Sequence, residues 1–137
     1  MKKIHCTNFI VFYEDTDSTG YSYHTSYLRF AERARSKMLI DSFPDIVRKI
    51  SLKTHFFVIR EIKAEYFKPA FLFDNLILST FLVGNKMASF YLQHNILKNK
   101  TLLCKIKVKL VWIDAESKLP LRLPSDLISR FKLMEVV

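Results

Sequence analysis

The chain has 137 residues and a net charge of +9, and half of its residues are hydrophobic. This composition supports one well-buried core, so we expect a single α+β domain over residues 1–137. Two glycines and four prolines are too few for long linkers or low-complexity segments. No stretch approaches the roughly 20 apolar residues that span a bilayer, and the N-terminus makes a poor signal peptide, so we expect a cytoplasmic protein.

The positive charge suits an anionic partner, such as nucleic acid, a membrane surface or a phosphorylated small molecule. The basic residues are scattered, however, and the one regular cluster, Lys105, Lys107 and Lys109, is equally typical of a solvated strand face. Cys6 and Cys104 are far apart and lack the C-x-x-C spacing of metal and redox sites. We therefore expect two reduced thiols.

The first half of the chain predicts a strand followed by a long helix. Residues 7–14 are predicted to form the strand. Residues 25–42 have helical periodicity, with a face that widens through Leu28 and Phe30. The apolar or small residues of that face are Tyr27, Ala31, Ala34 and Met38. A shorter helix is predicted over residues 44–50, because Pro44 suits a first helical turn.

The second half of the chain alternates in the manner of half-buried strands. Lys105, Lys107 and Lys109 lie on the face opposite to the apolar residues of their strand. Four strands are predicted, over residues 55–67, 75–83, 87–98 and 102–114. Tight connections are expected at residues 84–86 and 99–100. A last helix is predicted over residues 125–134.

Consecutive strands joined by tight turns form an antiparallel sheet, and one long amphipathic helix would cover one face of it. Residues 55–67 and 75–83 carry more apolar side chains than a monomer of this size hides. We therefore expect a homo-oligomer, either a dimer or a dimer of dimers, which would be a homotetramer.

Residues 13–24, YEDTDSTGYSYH, form an acidic loop that permits several interpretations. A calcium loop of the EF-hand type fails because its twelfth position, which must be Glu, is Ser26. The D-x-D-x-T pattern of haloacid-dehalogenase phosphatases also fits, but that chemistry needs a parallel sheet of βαβ units. A simple polar turn remains open, because Asp, Ser, Thr and Gly are common in strand-to-helix connections.

A wider match favours an enzyme. Residues 11–35, VFYEDTDSTGYSYHTSYLRFAERAR, resemble the opening of hotdog-fold acyl-CoA thioesterases, most closely the YbgC branch of the 4-hydroxybenzoyl-CoA thioesterase family. Residues 57–70 and 112–124 resemble later parts of the same family. The positions after Gly20, Tyr21 and Ser22, depart from the small aliphatic residues usual there.

The resemblance implies a hotdog fold, in which a curled five-stranded antiparallel sheet wraps a long helix. It also implies an acyl-CoA thioesterase without metal or cofactor. Asp17 would act as nucleophile or as general base on water, and Asp15 would be its structural neighbour. The long helix would begin at about His24 or Thr25, and its N-terminus would stabilise the oxyanion. The side chains of His24 and Tyr13 are candidate catalytic groups.

Six further residues are candidate substrate-binding residues: Gly20, Tyr21, Tyr23, Lys63, Lys68 and Lys86. The glycine lets the loop turn sharply, and the lysines at strand ends and turns would meet the phosphates of CoA. An acidic acyl carrier protein would suit the same basic surface. Glu32 and Arg35 are expected to form a surface pair on the helix.

The alternative from another class is a non-catalytic basic α+β module that binds nucleic acid or acyl carrier protein. The chain carries no RNP, KH or helix-turn-helix signature, so we expect no nucleic-acid partner.

Overall fold

The computed structural model describes residues 1–134, so residues 135–137 of the predicted single domain lie outside the described residues. A 3₁₀ turn, Tyr13–Asp15, follows the first strand. The strands are β1 (Lys2–Ile10), β2 (His55–Tyr66), β3 (Asn75–Asn85), β4 (Ser89–Lys98) and β5 (Thr101–Asp114). The helices are α1 (His24–Ser42), α2 (Pro44–Ser51) and α3 (Ser125–Leu133).

The strands form one antiparallel sheet in the order β1-β3-β4-β5-β2. Strands β3, β4 and β5 are the predicted meander, and Asn99 closes its second turn with a φ of +55°. Strands β1 and β2 each pair on one side only, so they are the two edges of the sheet. The predicted α+β class and the five-stranded antiparallel sheet are confirmed.

Helix α1 lies against the sheet and contacts β1, β3 and β5. Its buried apolar face comprises Tyr27, Phe30, Ala31, Ala34 and Met38. This is the face that the helical periodicity predicts. The alanines let the helix approach the strands closely, because a methyl group takes up less space between the two backbones than a larger side chain does.

The first strand was predicted over residues 7–14, and that boundary is wrong. Strand β1 pairs with β3 from Lys2 onwards and ends at Ile10. The chain then turns because the Asp15 carboxylate accepts a hydrogen bond from the Phe12 backbone N–H at 3.0 Å. Tyr13 therefore lies in a 3₁₀ turn and not at the end of a strand.

The turn predicted at residues 84–86 lies further along the chain. A register shift between Leu82 and Gly84 marks a β-bulge, and β3 continues to Asn85. The connection occupies residues 86–88, where the Lys86 N–H donates to the Ser89 carbonyl at 2.7 Å. The bulge places an extra residue in the strand, which the alternation of apolar residues does not reveal.

The expected surface pair of Glu32 and Arg35 is also wrong. Arg35 is only 7% exposed, because it lies on the sheet-facing side of α1. Its Nη1 is 3.2 Å from His94 Nε2, and His94 Nδ1 is 2.9 Å from Thr80 Oγ1. Thr80 and His94 are direct cross-strand neighbours, so a polar row crosses the core beneath the helix.

Candidate active site

The acidic loop is held in place by the segment that precedes β3. The Ser22 N–H donates to the Ala70 carbonyl at 2.9 Å, and the Leu72 N–H donates to the Gly20 carbonyl at 2.8 Å. Gly20 has a φ of +87°, and a Cβ atom there would lie 2.7 Å from the Phe71 ring. The loop therefore requires glycine at this position for both its backbone conformation and its packing.

Asp15 and Asp17 have separate environments, because Asp15 ends the 3₁₀ turn and is buried, whereas Asp17 lies beyond the turn in the loop. Asp15 is 1% exposed, and Arg29 Nη2 lies 3.7 Å from its Oδ1. The Asp15 carbonyl accepts hydrogen bonds from the Tyr23 N–H and the Ser26 hydroxyl, each at 2.9 Å. Asp15 is thus the structural partner that the sequence predicts, and it holds the loop against the start of α1.

Asp17 is partly exposed and keeps a carboxylate oxygen available. Its Oδ1 accepts hydrogen bonds from the Thr19 hydroxyl and from the Thr19 backbone N–H, the latter at 2.8 Å. The hydroxyl first, and then the N–H, hold the pKa of the Asp17 carboxyl below its ordinary value of 3.8. Its Oδ2 accepts no hydrogen bond from residues 1–134. The carboxylate is therefore ionised at neutral pH and has one oxygen open to a substrate or a water.

Helix α1 begins at His24, the first of the two predicted starts. The Tyr23 and Ser26 N–H groups are occupied, by the carbonyls of Asp15 and Tyr23 respectively. Within residues 1–134, neither the His24 nor the Thr25 N–H has an acceptor. Two donors at the positive end of a 19-residue helix are therefore available to an oxygen atom that carries negative charge.

A cavity of about 340 Å³ brings the acidic loop and the helix start together. Four of the predicted site residues line it: Asp17, Tyr21, His24 and Lys68. Five further lining residues were not predicted: Ser22, Tyr27, Tyr66, Phe67 and Pro69. Most of the added wall is aromatic, which is typical of a site that holds an organic ligand.

Tyr66 is the most informative of the residues that sequence reasoning missed. Its hydroxyl donates to the His24 carbonyl at 3.0 Å, and its ring lies 4.9 Å from the His24 imidazole. Burial raises the pKa of the Tyr66 hydroxyl. Tyr66 shares one face of β2 with Ile62 and Ala64, because every second residue of a strand points to the same side. This spacing is the signal that would have placed Tyr66 on the helix side of the sheet.

Ser22 is the other missed residue with a polar group at the cavity. Its Oγ is buried and makes no hydrogen bond within the described part of the chain. The sequence showed Ser22 only as a departure from the family pattern, and nothing in its spacing marked it as a cavity residue.

Four candidate residues lie elsewhere. Tyr13 is 74% exposed and packs against the Phe73 ring, and Tyr23 precedes α1 without lining the cavity. Lys63 and Lys86 lie beside Tyr91 on the sheet surface that faces away from α1, with Lys86 Nζ 5.8 Å from the ring centre. The structure therefore brings neither lysine to Asp17.

The cysteines do not contribute to the site. Both thiols are free, as predicted, and burial raises the pKa of the Cys104 thiol to about 12. No group of three or more metal-ligating side chains occurs within residues 1–134. No helix in the same range is long and apolar enough to cross a membrane.

Comparison with known proteins gives consistent matches. A family model described as the thioesterase-like superfamily matches residues 11–131. The acyl-CoA thioester hydrolase YbgC of Escherichia coli O6:H1 is 34% identical over 123 residues, which are 89% of this chain and 91% of that protein. The acyl-CoA thioesterase YbgC of Haemophilus influenzae is 30% identical over 88% of this chain and 89% of its own length.

A solved structure extends the similarity to three dimensions. The probable thioesterase from Bartonella henselae superposes with a TM-score of 0.79 and 31% identity, over 88% of this chain and 99% of that one. The predicted hotdog fold is thereby confirmed. These matches do not favour the alternative of a non-catalytic basic module.

Proposed function

The chain belongs to the thioesterase-like superfamily, and from that premise we propose that it hydrolyses acyl-CoA thioesters to a free acid and a thiol. One observation carries the proposal. A single cavity joins Asp17, which has a carboxylate oxygen open to a substrate, to the N-terminus of α1, where the His24 and Thr25 N–H groups have no acceptor within residues 1–134. Thioester hydrolysis needs both a group that attacks the carbonyl carbon and donors for its oxygen.

The helix N-terminus would stabilise the oxyanion. Attack on the carbonyl carbon moves negative charge onto the carbonyl oxygen, which the His24 and Thr25 N–H groups would meet at the positive end of the helix dipole. One such donor typically contributes about 10²–10³ in rate. The carbonyl oxygen would therefore point at the helix start, and the acyl carbon would face Asp17.

Asp17 fits the nucleophilic role better than the role of general base. A general base works best with a pKa near the working pH, and the hydrogen bonds from Thr19 lower the pKa of Asp17 instead. As nucleophile, its oxygen bonds to the acyl carbon while the carbon–sulfur bond breaks and CoA leaves as thiolate. Water then cleaves the mixed anhydride, which releases the acid and restores the Asp17 carboxylate. One proton of that water restores the group that gave its proton to the thiolate.

The His24 side chain is suitably placed to protonate the departing thiolate, since it is exposed at the cavity and packs edge-on against Tyr66. Tyr13 has the weakest support as a catalytic residue, because its ring packs against Phe73 outside the cavity. We keep His24 as a catalytic residue in the proposal. Tyr66 replaces Tyr13 in it, as a positioning residue that holds the His24 carbonyl.

The substrate would cross the cavity between Tyr21 and Lys68, and Lys68 would meet a phosphate of CoA. Gly20 supports this path by keeping the loop close to Phe71. Lys63 and Lys86, on the opposite sheet surface with Tyr91, suit an acidic protein better than the CoA of this cavity. An acyl carrier protein is such a partner, and acyl-ACP is therefore a second substrate form within the proposal.

A homo-oligomer is also part of the proposal, as is a cytoplasmic location. Strand β2 is a long unpaired edge, and a second copy that pairs with it would extend the sheet and cover the groove between α1 and β2. Ile59 and Ile62 on this strand are 41% and 45% exposed, which a paired copy would reduce. This arrangement gives a dimer, and two dimers would give the homotetramer.

The test is thiol release from a panel of acyl-CoAs that runs from acetyl to palmitoyl and includes one aroyl thioester. We expect wild type to turn over at least one of them, and Asp17→Asn to lose about a hundredfold or more while it stays folded. Asp114→Asn is the matched control. It removes a carboxylate that also accepts a turn N–H, from Ser117 at 2.7 Å, but lies outside the cavity. Equal rates in wild type and Asp17→Asn would reject Asp17 as the catalyst.

A further inference from the structure

Arg35 carries a buried positive charge that forms no ion pair with a carboxylate within residues 1–134. The residue is 7% exposed, and its one described hydrogen-bond partner is His94 Nε2 at 3.2 Å. A guanidinium only donates, so this nitrogen accepts and the imidazole is neutral. No acid lies within 4.0 Å of Arg35 in the described structure, although buried charges are normally paired.

Arg35 lies at a cavity of about 470 Å³ between α1 and β2. The cavity wall is largely apolar, with Leu39, Ile50, Phe57, Ile59, Phe90 and Leu110 among its residues. This volume, and an apolar wall that carries few charged groups, here Arg35 and Glu32, are typical of small-molecule sites. The ligand that fits is an apolar chain with a negative charge.

Helix α1 and strand β2 both run from the candidate active site to this cavity, so a groove between them would connect the two. Tyr66 touches His24 at one end of the groove, and Phe57 and Ile59 lie beside Arg35 at the other end. Ile62 and Ile59 pair with the core residues of β5 and so lie on the helix side of the sheet, yet they are 45% and 41% exposed. A chain bound along this groove would lie between α1 and β2, and the second copy of the proposed dimer would cover it.

We propose that Arg35 is a specificity residue, and that the groove between α1 and β2 takes an acyl chain that ends in a carboxylate. The substrate class is the CoA thioester of an α,ω-dicarboxylic acid, and this inference rests on the proposed function. His24 and Arg35 are about 16 Å apart along the helix at 1.5 Å per residue, a distance that an extended chain of roughly a dozen carbons covers. Shorter chains would not reach the guanidinium.

Glu32 also borders the cavity, and it would repel an incoming carboxylate. Its side chain is exposed, so water and salt screen its charge, whereas the Arg35 guanidinium lies in the interior. The net field at the far end of the groove is therefore positive. Glu32→Gln would remove the repulsion, and we expect it to increase the preference for a carboxylate-terminated chain.

The experiment compares two CoA thioesters of equal chain length, one that ends in a methyl group and one that ends in a carboxylate. In wild type we expect kcat/KM to favour the carboxylate by about tenfold to a hundredfold at roughly twelve carbons, the range for a hydrogen bond to a charged group. We expect no such preference for chains too short to reach Arg35. The same preference at every length would reject Arg35 as its source.

Variants separate specificity from a structural role. Arg35→Met should remove the preference, so that the ratio of kcat/KM for the two substrates approaches one, whereas Arg35→Lys should keep part of it. Arg33→Met is the matched control, since Arg33 lies on the exposed side of the same helix, 4.0 Å from Glu14. It should keep the full preference. If Arg35→Met does not fold, the chain-length series in wild type and the result for Arg35→Lys decide.

The remaining outcomes distinguish a failure of this inference from a failure of the proposed function. Turnover of methyl-terminated acyl-CoA without any preference would overturn this inference and leave the proposed function intact. A shift of the oligomer mass in Arg35→Lys without loss of preference would assign the Arg35 counter-ion to a second copy of the chain. If no thioester is hydrolysed, the proposed function fails. Calorimetric binding of the free dicarboxylic acid to wild type and to Arg35→Lys then decides, and equal affinity would reject the site.

Discussion

Arg35 Nη1 lies 3.2 Å from His94 Nε2 in the core, and this contact fixes the protonation state of the histidine. Because the guanidinium can only donate, Nε2 is an acceptor and the Nδ1–H donates to Thr80 Oγ1 at 2.9 Å. Burial first, and then the charge of Arg35, lower the pKa of His94 from 6.5 to about 3. The folded protein therefore keeps a neutral histidine where the unfolded chain binds a proton.

This difference predicts acid sensitivity with a defined range. The unfolded state takes up one proton more than the folded state between pH 6.5 and about 3, so the stabilisation is complete above pH 6.5 and is lost as the pH falls towards 3. The loss approaches about 1.4 kcal/mol per pH unit for one group. Denaturant unfolding at several pH values measures it.

The His94→Gln variant checks that this histidine is the cause. Glutamine provides an amide oxygen for Arg35 and an N–H for Thr80 but does not titrate, so the slope below pH 6.5 should flatten. The exposed His24→Gln is the control and should keep the slope of wild type. An unchanged slope in His94→Gln would assign the acid sensitivity to other groups.

The two glycines allow a paired test of the loop. Gly20→Ala places a Cβ 2.7 Å from the Phe71 ring at a φ of +87°, whereas Gly84→Ala meets nothing within 4 Å. We expect Gly20→Ala to lose about 1–2 kcal/mol of unfolding free energy, with reduced turnover, because the left-handed region disfavours a side chain. Gly84→Ala should stay within about 0.5 kcal/mol of wild type. If thermal and denaturant unfolding show equal losses of stability for Gly20→Ala and Gly84→Ala, the loop tolerates a side chain at residue 20.

The cysteines differ in accessibility, which thiol labelling measures directly. Cys6 is exposed, whereas Cys104 is fully buried and its pKa is raised to about 12 by burial. A thiol reagent should therefore label one thiol rapidly in the folded protein and the second only after unfolding. Cys6→Ser should abolish the rapid phase. Rapid labelling of Cys104 in that variant would contradict its burial.

Local patterns predicted much of this fold. The buried face of α1 from Tyr27 to Met38, the meander of β3, β4 and β5, and the start of α1 at His24 follow from periodicity and from the loop motif. The first strand was misplaced because a side-chain hydrogen bond from the Phe12 N–H to Asp15 ends the extended chain, and such a bond has no periodic signal. The turn predicted at residues 84–86 was misplaced because the β-bulge near Gly84 has no periodic signal either.

The site was predicted in part, for a related reason. Residues of one continuous motif, such as Asp17 and His24, fold into the same cavity, so the motif alone brings them together. Tyr66 comes from β2 and reaches the site through long-range pairing of the sheet, which local spacing does not encode. Lys63 and Lys86 were predicted from their charge and from expected strand ends and turns, whereas the sheet places them on its opposite surface. The i,i+3 spacing with Glu32 predicted a surface pair, but that spacing does not show that Arg35 faces the sheet.

If the proposed dimer pairs through the free edge of β2, a charged residue on this edge should weaken it. Ile59 is 41% exposed on this edge, and a lysine there would be brought close to the paired copy and would disfavour strand pairing. Ile59→Lys should lower the mass measured by light scattering at a given protein concentration. Leu119→Lys is the control, because Leu119 is 63% exposed in a loop beyond β5. An unchanged mass in Ile59→Lys would place the interface elsewhere.

Two substitutions at His24 separate the backbone donor from the side chain. His24 is the first residue of α1, and Tyr23 before it has a ψ of 147°, a conformation compatible with a following proline. Both His24→Pro and His24→Ala remove the imidazole, but only His24→Pro also removes the N–H. If this N–H stabilises the oxyanion, kcat in His24→Pro should be about 10²–10³ lower than in His24→Ala, with similar unfolding free energies. Equal kcat values in the two folded variants would mean that the oxyanion binds elsewhere, whereas a large loss already in His24→Ala would assign the main effect to the imidazole.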